Sequence, residues 1–457
     1  MIDYFVRMVW VVFLVVTPEL YSFAQSTPKP SQQQLQWQQL ETTAFLHFTV
    51  NTFTGKEWGE GTESPSIFNP QKLDARQWVK ALKEAGFKMA IITAKHHDGF
   101  CLWPSKYTEH TVKNSPWKNG KGDVVKEVAD ACKEYGVKFG FYLSPWDRHE
   151  KTYGTAAYND FYLNQLKELL TNYGEVSEVW FDGAKGENEK DMQYDFNAYW
   201  KMVKALQPKA IIFSAIGPDV RWVGNETGNA GEVCWSTINT EGMWPGKADN
   251  KYLNTGDPNG TQWIPAETDV SIRPGWFYRA SENRSVRSPQ NLVNLYYQSV
   301  GRNSLLLLNI PPNSDGLLEE TDIKAIQNFR SILDETFASN QLLTRKYKNL
   351  TDKKTETYIV MRPGIPLEIT LESAARFDRI ALQENIRNGQ FIESGVIEYW
   401  DGNEWQPIQQ FTTVGYKKLM RFKEVMASKV RITFIAAKGA KKVQLSEMGL
   451  YKASSLE

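Results

Sequence analysis

The sequence predicts an α/β protein: a (β/α)8-like TIM barrel followed by a C-terminal antiparallel β-sandwich. Three observations support this prediction. Between residues 74 and 214, helical segments that end at glycine or proline alternate with short apolar segments, which is typical of a parallel sheet covered by crossover helices. Candidate functional residues follow at least four successive strands, and no Gly-rich nucleotide motif follows the first, so we prefer a closed barrel to an open sheet. After about residue 350, alternating or β-branched segments separated by turns indicate a small sandwich.

The barrel elements are predicted in chain order from apolar runs and helix caps. Asp74 is suited to cap the start of the first long helix and Gly86 its end. The region 222–278 is irregular and rich in Trp, Gly, Asn and Pro, and long loops of this kind in a barrel are usually functional. The predicted strands are 44–49, 89–93, 139–143, 178–181, 210–214 and 304–309, and the predicted helices are 74–86, 123–135, 158–173, 195–206, 288–300 and 319–333.

The 457 residues suit a barrel of about 250 residues or more with an appended domain. Arg7, an apolar run over 8–16 and a small-x-small motif at Ser22-Phe23-Ala24 predict a signal peptide over 1–24. We expect a flexible, Gln-rich lead-in over 25–39, the catalytic barrel over 40–345 and the sandwich over 350–455. The protein is therefore expected to be secreted or periplasmic, with no membrane insertion after signal cleavage. A membrane-anchored N-terminus is the alternative.

The composition excludes some classes of partner. The 53 basic and 53 acidic residues give no net charge, so we expect no nucleic-acid partner and no attraction to anionic membranes. The three cysteines form no disulfide framework. Sixteen tryptophans and twenty tyrosines suit the C–H faces of sugars, although they also suit any core. The oligomeric state is not predicted.

The segment Glu178-Val179-Trp180-Phe181-Asp182-Gly183 contains the strongest catalytic candidate. A carboxylate directly after a buried strand lies where barrel enzymes place catalytic groups. An ordinary Asp-Gly turn is the alternative. We predict that Asp182 is a nucleophile.

Retaining glycoside hydrolysis needs a second carboxyl group about 5–5.5 Å from the nucleophile. Glu226, in Arg221-Trp222-Val223-Gly224-Asn225-Glu226, is the candidate for this acid/base. Glu232 and Glu267 compete with it, and spacing alone does not choose among the three.

Histidine is rare, with five in the chain; His96 and His97 follow one predicted strand, and His47 lies at the end of another. One interpretation is a metal site formed by His47, His96, His97 and Asp98, as in metal-dependent barrel hydrolases. The spacing matches no established ligand pattern, so we predict no metal and no organic cofactor.

Several of these segments together resemble an α-L-fucosidase of glycoside hydrolase family 29. The similar segments occur in the order of that family: Phe45-Leu46-His47-Phe48, Glu57-Trp58-Gly59, Ala94-Lys95-His96-His97-Asp98-Gly99-Phe100, Tyr142-Leu143-Ser144 and Trp180-Phe181-Asp182-Gly183. The segment 221–226 resembles the branch that prefers α-1,3/1,4-linked fucose on Lewis-type glycans. The tail from about residue 350 resembles a discoidin-like or carbohydrate-binding sandwich.

The resemblance implies an exo-acting, retaining fucosidase with fucosylated glycans as partners. Asp182 matches the family nucleophile, and Glu226 matches the acid/base of that branch. The residues that match the fucose-binding pocket are His47, Glu57, Trp58, His96, His97, Tyr142, Trp180, Arg221 and Trp276. A fucosidase of broader linkage specificity and a non-catalytic glycan-binding protein are the alternatives.

This chemistry sets expectations for the two carboxyl groups. Asp182 must be ionised to attack, so hydrogen-bond donors should hold its pKa down. Glu226 must be protonated to donate, so apolar surroundings or the Asp182 charge should raise its pKa.

Overall fold

The first part of the chain forms a closed barrel of eight parallel strands in a computed structural model that describes residues 27–186, 190–342 and 346–457. Around the barrel the order is β1-β2-β3-β4-β5-β6-β9-β10, and β10 pairs with β1 to close it. The barrel strands are β1 (Thr42–Leu46), β2 (Met89–Lys95), β3 (Lys138–Leu143), β4 (Glu178–Trp180), β5 (Ile211–Ser214), β6 (Val220–Trp222), β9 (Ala266–Ser271) and β10 (Leu305–Asn309). Between β6 and β9 lies a short antiparallel pair, β7 (Thr237–Ile238) and β8 (Gln262–Trp263).

Helices surround the barrel, and polar side chains cap several of them. Asp74, Asp123, Asp195 and Ser288 each accept a backbone N–H at a helix start, as the sequence predicts for Asp74. No helix of the described residues is long and apolar enough to cross a membrane. The helices are α1 (Gln32–Gln38), α2 (Asn51–Thr54), α3 (Ala75–Glu84), α4 (Val124–Tyr135), α5 (Ala157–Asn172), α6 (Phe196–Leu206), α7 (Asn250–Thr255), α8 (Pro289–Gln298) and α9 (Glu320–Phe337).

The barrel has two apolar layers because successive strand residues point to opposite faces. In β2, Met89 and Ile91 lie in the barrel interior, whereas Ala90 and Ile92 pack in the layer beneath the helices. The same alternation in β4 places Val179 in the helix layer and Trp180 in the interior. The predicted barrel is confirmed.

Two features of the barrel differ from the sequence prediction. β5 and β6 are parallel neighbours joined by a five-residue loop, residues 215–219, with no helix between them. β9 lies inside the region predicted to be irregular. The polar residues Glu267, Asp269 and Ser271 occupy every second position of β9. The strand therefore contains no apolar run from which a buried strand could be predicted.

Helix α1 contradicts the predicted flexible lead-in over 25–39. Ser31 and Gln34 form a reciprocal capping box at its start. Trp37 is buried in the barrel interior, and its indole Nε1 donates to Glu178 Oε2 at 2.8 Å. The Gln-rich composition suggested disorder, but Leu35 and Trp37 provide enough apolar surface to seat the helix at the end of the barrel where β4 begins. The predicted signal peptide over 1–24 lies outside the described residues.

The C-terminal part is an antiparallel six-stranded sheet in the order β11-β16-β12-β15-β13-β14. The two longest strands contain irregular pairing, and such bulges bend a sheet so that it can fold over one core. That core is separate from the barrel core and includes Ile369, Phe377, Ile432 and Leu445. This is the predicted β-sandwich domain. Its strands are β11 (Ile359–Met361), β12 (Leu367–Glu384), β13 (Ile392–Trp400), β14 (Trp405–Phe411), β15 (Lys418–Ala437) and β16 (Val443–Tyr451).

A buried ion pair fixes the ends of β2 and β3 directly beside the histidines. Lys95 Nζ is 2.7 Å from Asp147 Oδ2 and 2.9 Å from Gln165 Oε1, and neither charged side chain is more than 2% exposed. Asp147 also accepts the backbone N–H groups of His149 and Glu150. Although burial acts in the other direction, Lys95 and these donors hold the pKa of Asp147 below its usual value.

We expect Asp147→Ala to lower the free energy of unfolding by about 3–5 kcal/mol, because it leaves the Lys95 charge buried without a partner. Chemical denaturation followed by tryptophan fluorescence measures this loss. Asp130→Ala is the matched control, because Asp130 pairs with Lys126 at the surface, where such pairs contribute about 1 kcal/mol or less. Equal losses in the two variants would contradict the prediction.

The stability difference between wild type and Asp147→Ala should depend on pH, and the lowered pKa of Asp147 sets the direction of this dependence. A carboxylate with a lowered folded pKa stabilises the protein fully above its unfolded pKa, which is about 3.9 for aspartate, and loses this contribution as the pH falls through the folded value. The stability difference between wild type and Asp147→Ala should therefore narrow below about pH 4.

Candidate active site

A cavity of about 400 Å³ opens at the carboxyl ends of the barrel strands. Apart from Arg221, every predicted site residue lines it. These residues are His47, Glu57, Trp58, His96, His97, Tyr142, Trp180, Asp182, Glu226 and Trp276.

Asp182 lies two residues beyond β4, and its carboxylate is 23% exposed to the cavity. Oδ1 accepts the backbone N–H of Ala184 at 2.7 Å, and Oδ2 accepts the hydroxyl of Tyr142 at 3.0 Å. The expected donors are therefore present. The expected direction of the pKa is wrong, however, because burial raises the pKa of Asp182 by more than these donors lower it.

His97 has a defined tautomer. Its Nδ1 is 2.7 Å from Ser144 Oγ, and that hydroxyl donates to the carbonyl of Trp146 at 2.6 Å. Ser144 therefore accepts a proton from Nδ1, and His97 Nε2 is left as an acceptor 3.7 Å from Asp182 Oδ2. Burial lowers the pKa of His97 to about 3, so the ring is neutral near neutral pH.

His47 is fixed in the same way by Asn309. The amide nitrogen of Asn309 donates to Ser271 Oγ at 2.9 Å and to the Trp276 carbonyl at 2.7 Å, which orients its oxygen toward His47 Nδ1 at 2.9 Å. Burial lowers the pKa of His47 to about 3.

His96 lies with its ring centroid 4.0 Å from that of His97. Burial, together with the neighbouring histidines, lowers its pKa well below the usual value. The cavity therefore presents neutral imidazoles, which suit hydroxyl groups rather than anions.

Glu226 lies four residues beyond β6 at the exposed rim of the cavity. Burial and the charge of Asp182 raise its pKa, whereas the indole N–H of Trp276, 3.4 Å from Glu226 Oε2, acts in the opposite direction. The expectation of a raised pKa at Glu226 is confirmed.

Glu57 and Trp276 form another wall of the cavity. Glu57 Oε2 accepts the backbone N–H of Trp276 at 3.0 Å, and Glu57 Oε1 pairs with Arg279 at 2.5 Å. Trp58 is 54% exposed at the rim and packs edge-to-face on Trp146. The glutamate charge is thus matched by an arginine, while the tryptophans provide apolar surface.

The interior end of the cavity is formed by stacked aromatic rings. Trp180 lies parallel to Phe213, with ring centroids 4.2 Å apart. Its indole N–H donates to Glu267 Oε1 at 2.9 Å. This bond sets the position of the Trp180 ring.

The two competing acids lie elsewhere. Glu267 is completely buried in the barrel interior, and Glu232 is 75% exposed and 3.4 Å from Arg302. Neither lines the cavity, so the geometry favours Glu226 over both.

Arg221 is the one predicted substrate-binding residue that the structure contradicts. It is completely buried, and its guanidinium donates to the backbone carbonyls of Leu253, Trp235 and Ile264. Its strand neighbour Trp222 faces the cavity, and adjacent strand residues point to opposite faces. Arg221 therefore holds the loops around β7 and β8.

Several residues in or next to the cavity were not predicted from the sequence. Asn309 ends the apolar run of β10, so a search for polar residues at strand ends would have found it. Asp269 and Trp222 line the cavity and are joined by a hydrogen bond of 2.8 Å from indole Nε1 to Asp269 Oδ1. Asp269 had no comparable signal, because its strand has no apolar run.

The metal-site interpretation is not supported by the side chains concerned. The carboxylate of Asp98 accepts Thr49 Oγ1 at 2.8 Å and the N–H of Phe100 at 2.7 Å. Within the described ranges, no group of three or more His, Cys, Asp or Glu side chains is arranged to hold a metal ion.

Two candidate catalytic carboxyl groups in one cavity of a barrel, with neutral histidines and aromatic walls around them, are typical of glycoside hydrolases. Comparison with known proteins identifies the family. The family model described as alpha-L-fucosidase matches residues 20–335. The chain belongs to the α-L-fucosidase family, glycoside hydrolase family 29, and is a glycoside hydrolase. This favours an enzyme over a non-catalytic glycan-binding protein.

Individual relatives cover nearly the whole chain. Alpha-L-fucosidase 1 of Arabidopsis thaliana is 47% identical over 446 residues, which are 93% of this chain and 87% of the relative. A family 29 structure from an unknown rumen bacterium is 41% identical with a TM-score of 0.86, covering 95% of this chain and 79% of that one. A family 29 fucosidase of Ruminococcus gnavus in complex with fucose is 34% identical with a TM-score of 0.88, covering 95% and 97%.

We expect Arg221→Met to lower the free energy of unfolding by at least about 2 kcal/mol, because three buried carbonyls lose a charged donor. Arg76→Met is the control, since Arg76 pairs with Glu134 at the surface. Thermal and chemical denaturation measure the difference. A raised KM without any loss of stability would contradict this assignment and return Arg221 to the substrate.

Proposed function

We propose that this α-L-fucosidase is an exo-acting, retaining enzyme in which Asp182 is the nucleophile and Glu226 the acid/base. We further propose that it releases α-1,3/1,4-linked L-fucose from Lewis-type glycans. The main support is the environment of Asp182, whose carboxylate meets two donors inside the cavity that Glu226 also lines.

In the first step, one oxygen of Asp182 attacks the anomeric carbon of fucose as the bond to the leaving oxygen breaks. Glu226 gives its proton to that oxygen, so the aglycone leaves as an alcohol and a covalent fucosyl-Asp182 ester forms. The raised pKa of Glu226 supports this role, because the group must be protonated at the start.

In the second step, water attacks the anomeric carbon and Glu226 accepts its proton. The ester bond breaks, fucose leaves and the Asp182 carboxylate is restored. Esterification removes the Asp182 charge that raises the pKa of Glu226, so Glu226 ionises more readily when a base is needed.

The remaining cavity groups suit fucose, an uncharged sugar with ring hydroxyls and a methyl group. The neutral histidines offer acceptor nitrogens for hydroxyl groups, and Trp180 with Phe213 offers apolar surface to a C–H face. The linkage proposal rests on the resemblance of residues 221–226 to one branch of the family. Export to the periplasm or the medium is likewise a proposal, based on Arg7, the apolar run over 8–16 and the small-x-small motif.

We expect Asp182→Asn to abolish turnover while the protein remains folded, because an amide is a poor nucleophile. Fucose release from an aryl fucoside measures this loss. Asp401→Asn is the matched control, because Asp401 is an exposed aspartate that also precedes a glycine. Near-normal activity of Asp182→Asn would remove the nucleophile assignment.

Glu226→Ala should lose about 10²–10⁴ in rate, the usual size of general acid–base catalysis. Azide should restore part of the turnover of an aryl fucoside, because it attacks the ester without needing a base. Glu232→Ala is the matched control, since Glu232 is an exposed acid that follows the same strand. A Glu226→Ala variant as active as wild type, beside an inactive Glu267→Ala, would move the acid role.

The linkage proposal predicts strong release from a Lewis-type trisaccharide and weak release from an α-1,2-fucosylated disaccharide. Parallel assays of free fucose measure both. Equal release from the two sugars would keep the fucosidase and contradict the linkage preference.

A further inference from the structure

Asp269 is a further carboxyl group in the cavity, in addition to Asp182, Glu226 and Glu57, and the mechanism above does not use it. It lies on β9, is 3% exposed and lines the cavity together with Asp182 and Glu226. Its Oδ1 accepts the indole N–H of Trp222 at 2.8 Å. This bond fixes the side chain at the cavity wall.

The strand register places Asp269 beside the segment that leads to Glu226. β6 and β9 are parallel neighbours with Trp222 opposite Glu267, and the N–H of Val223 donates to the carbonyl of Glu267 at 2.9 Å. Asp269 is two residues further along β9 on the same face as Glu267. It is therefore level with residues 223–226, the first residues of the loop after β6.

The groups that face Asp269 are acidic. They are Glu226 from the loop after β6, Asp182 from the end of β4 and, on its own strand, Glu267. The charged groups that act most strongly on Asp269 are Glu226 and Asp182, and both are acids. Burial and these negative charges raise the pKa of Asp269 well above its usual value, which favours the neutral form, and a neutral carboxyl group presents an O–H donor.

The position beside Glu226 indicates which sugar this donor meets. Glu226 protonates the leaving oxygen, so its side of the cavity receives the aglycone. The other walls, formed by His47, His97 and aromatic rings, are those to which the proposed function assigns the fucose. The charge of Glu226 also acts on Asp269 more strongly than that of Asp182 does.

We propose that Asp269 is a specificity-determining residue that donates a hydrogen bond from its neutral carboxyl group to the leaving-group sugar held beside Glu226. This inference rests on the proposed function, because it assumes that Glu226 stands on the aglycone side. It gives a role to a buried acid that lines the cavity beside the two proposed catalytic acids.

The test compares two substrates in two variants of the full chain. The readout is the ratio of kcat/KM for a Lewis-type trisaccharide to kcat/KM for an aryl fucoside, which has no leaving-group sugar. Asp269→Leu removes every hydrogen bond of the side chain, and the ratio should fall about tenfold, as expected for one lost hydrogen bond. Asp269→Asn keeps a neutral donor of the same shape, and the ratio should fall less than about threefold.

Two outcomes of this comparison would overturn the inference. An unchanged ratio in Asp269→Leu means that Asp269 does not contact the aglycone. A tenfold fall in Asp269→Asn means that an ionised carboxylate is required. This second result decides the question even where Asp269→Leu does not fold, because asparagine is isosteric with aspartate.

A further measurement separates Asp269 from the fucose-binding groups and from the proposed function. Competitive inhibition by free fucose should be weakened less than threefold in Asp269→Leu. A tenfold weakening would place Asp269 in the fucose subsite and overturn the inference. Hydrolysis of the aryl fucoside by the wild type tests the proposed function independently. Failure of the proposed function can therefore be distinguished from failure of the inference about Asp269.

Discussion

The cavity is dominated by one electrostatic constraint: among the residues that the structure describes, its carboxyl groups outnumber the cations that pair with them. The three histidines are neutral because burial lowers their pKa, and Arg279 is taken up by Glu57. Charging a carboxyl group in these surroundings is therefore costly unless several donors meet it. Asp182 has the hydroxyl of Tyr142 and the backbone N–H groups of Ala184 and Gly183 as donors. Asp269 has an indole and its own backbone N–H, and Glu226 has one indole. The donors at Asp182 reduce the cost of ionisation, although burial still raises its pKa.

The same constraint extends below the cavity. Glu178 and Glu267 are buried together in the barrel interior, and burial raises the pKa of both. The charge of Glu178 raises the pKa of Glu267 further, whereas the interaction with Glu267 lowers the pKa of Glu178. Trp37 of α1 donates to Glu178, and Trp180 donates to Glu267. These two hydrogen bonds connect the N-terminal helix and the ring at the interior end of the cavity to the same pair of buried acids. An uncharged sugar suits such a site, because it adds hydrogen bonds without adding charge.

Much of the barrel and of its site was predictable because catalytic barrels place polar residues directly after apolar strands. Asp182, His47 and the His96-His97 pair follow strands in this way, and all line the cavity. The rule failed where the strand was not apolar. β9 has acids on its inward face, so both the strand and Asp269 escaped prediction.

The other errors have equally local causes. Composition suggested that the Gln-rich segment before Leu40 is flexible, but two apolar side chains are enough to seat α1 against the barrel. Arg221 shared a motif with Glu226, yet its position on β6 directs it away from the cavity. Neither a sequence motif nor the composition specifies toward which face of the sheet a side chain points. The pKa of Asp182 also required the structure, because the balance of burial against donors depends on three dimensions.

A covalent bond between fucose and Asp182 is the central step of the proposed mechanism. A 2-deoxy-2-fluoro-fucosyl fluoride forms the ester quickly and hydrolyses slowly, so it traps the intermediate of a retaining fucosidase. After digestion and mass spectrometry, we expect one fucosyl adduct, on the peptide that contains Asp182. An adduct on another residue, or steady turnover with inversion at the anomeric carbon and no adduct, would contradict the account.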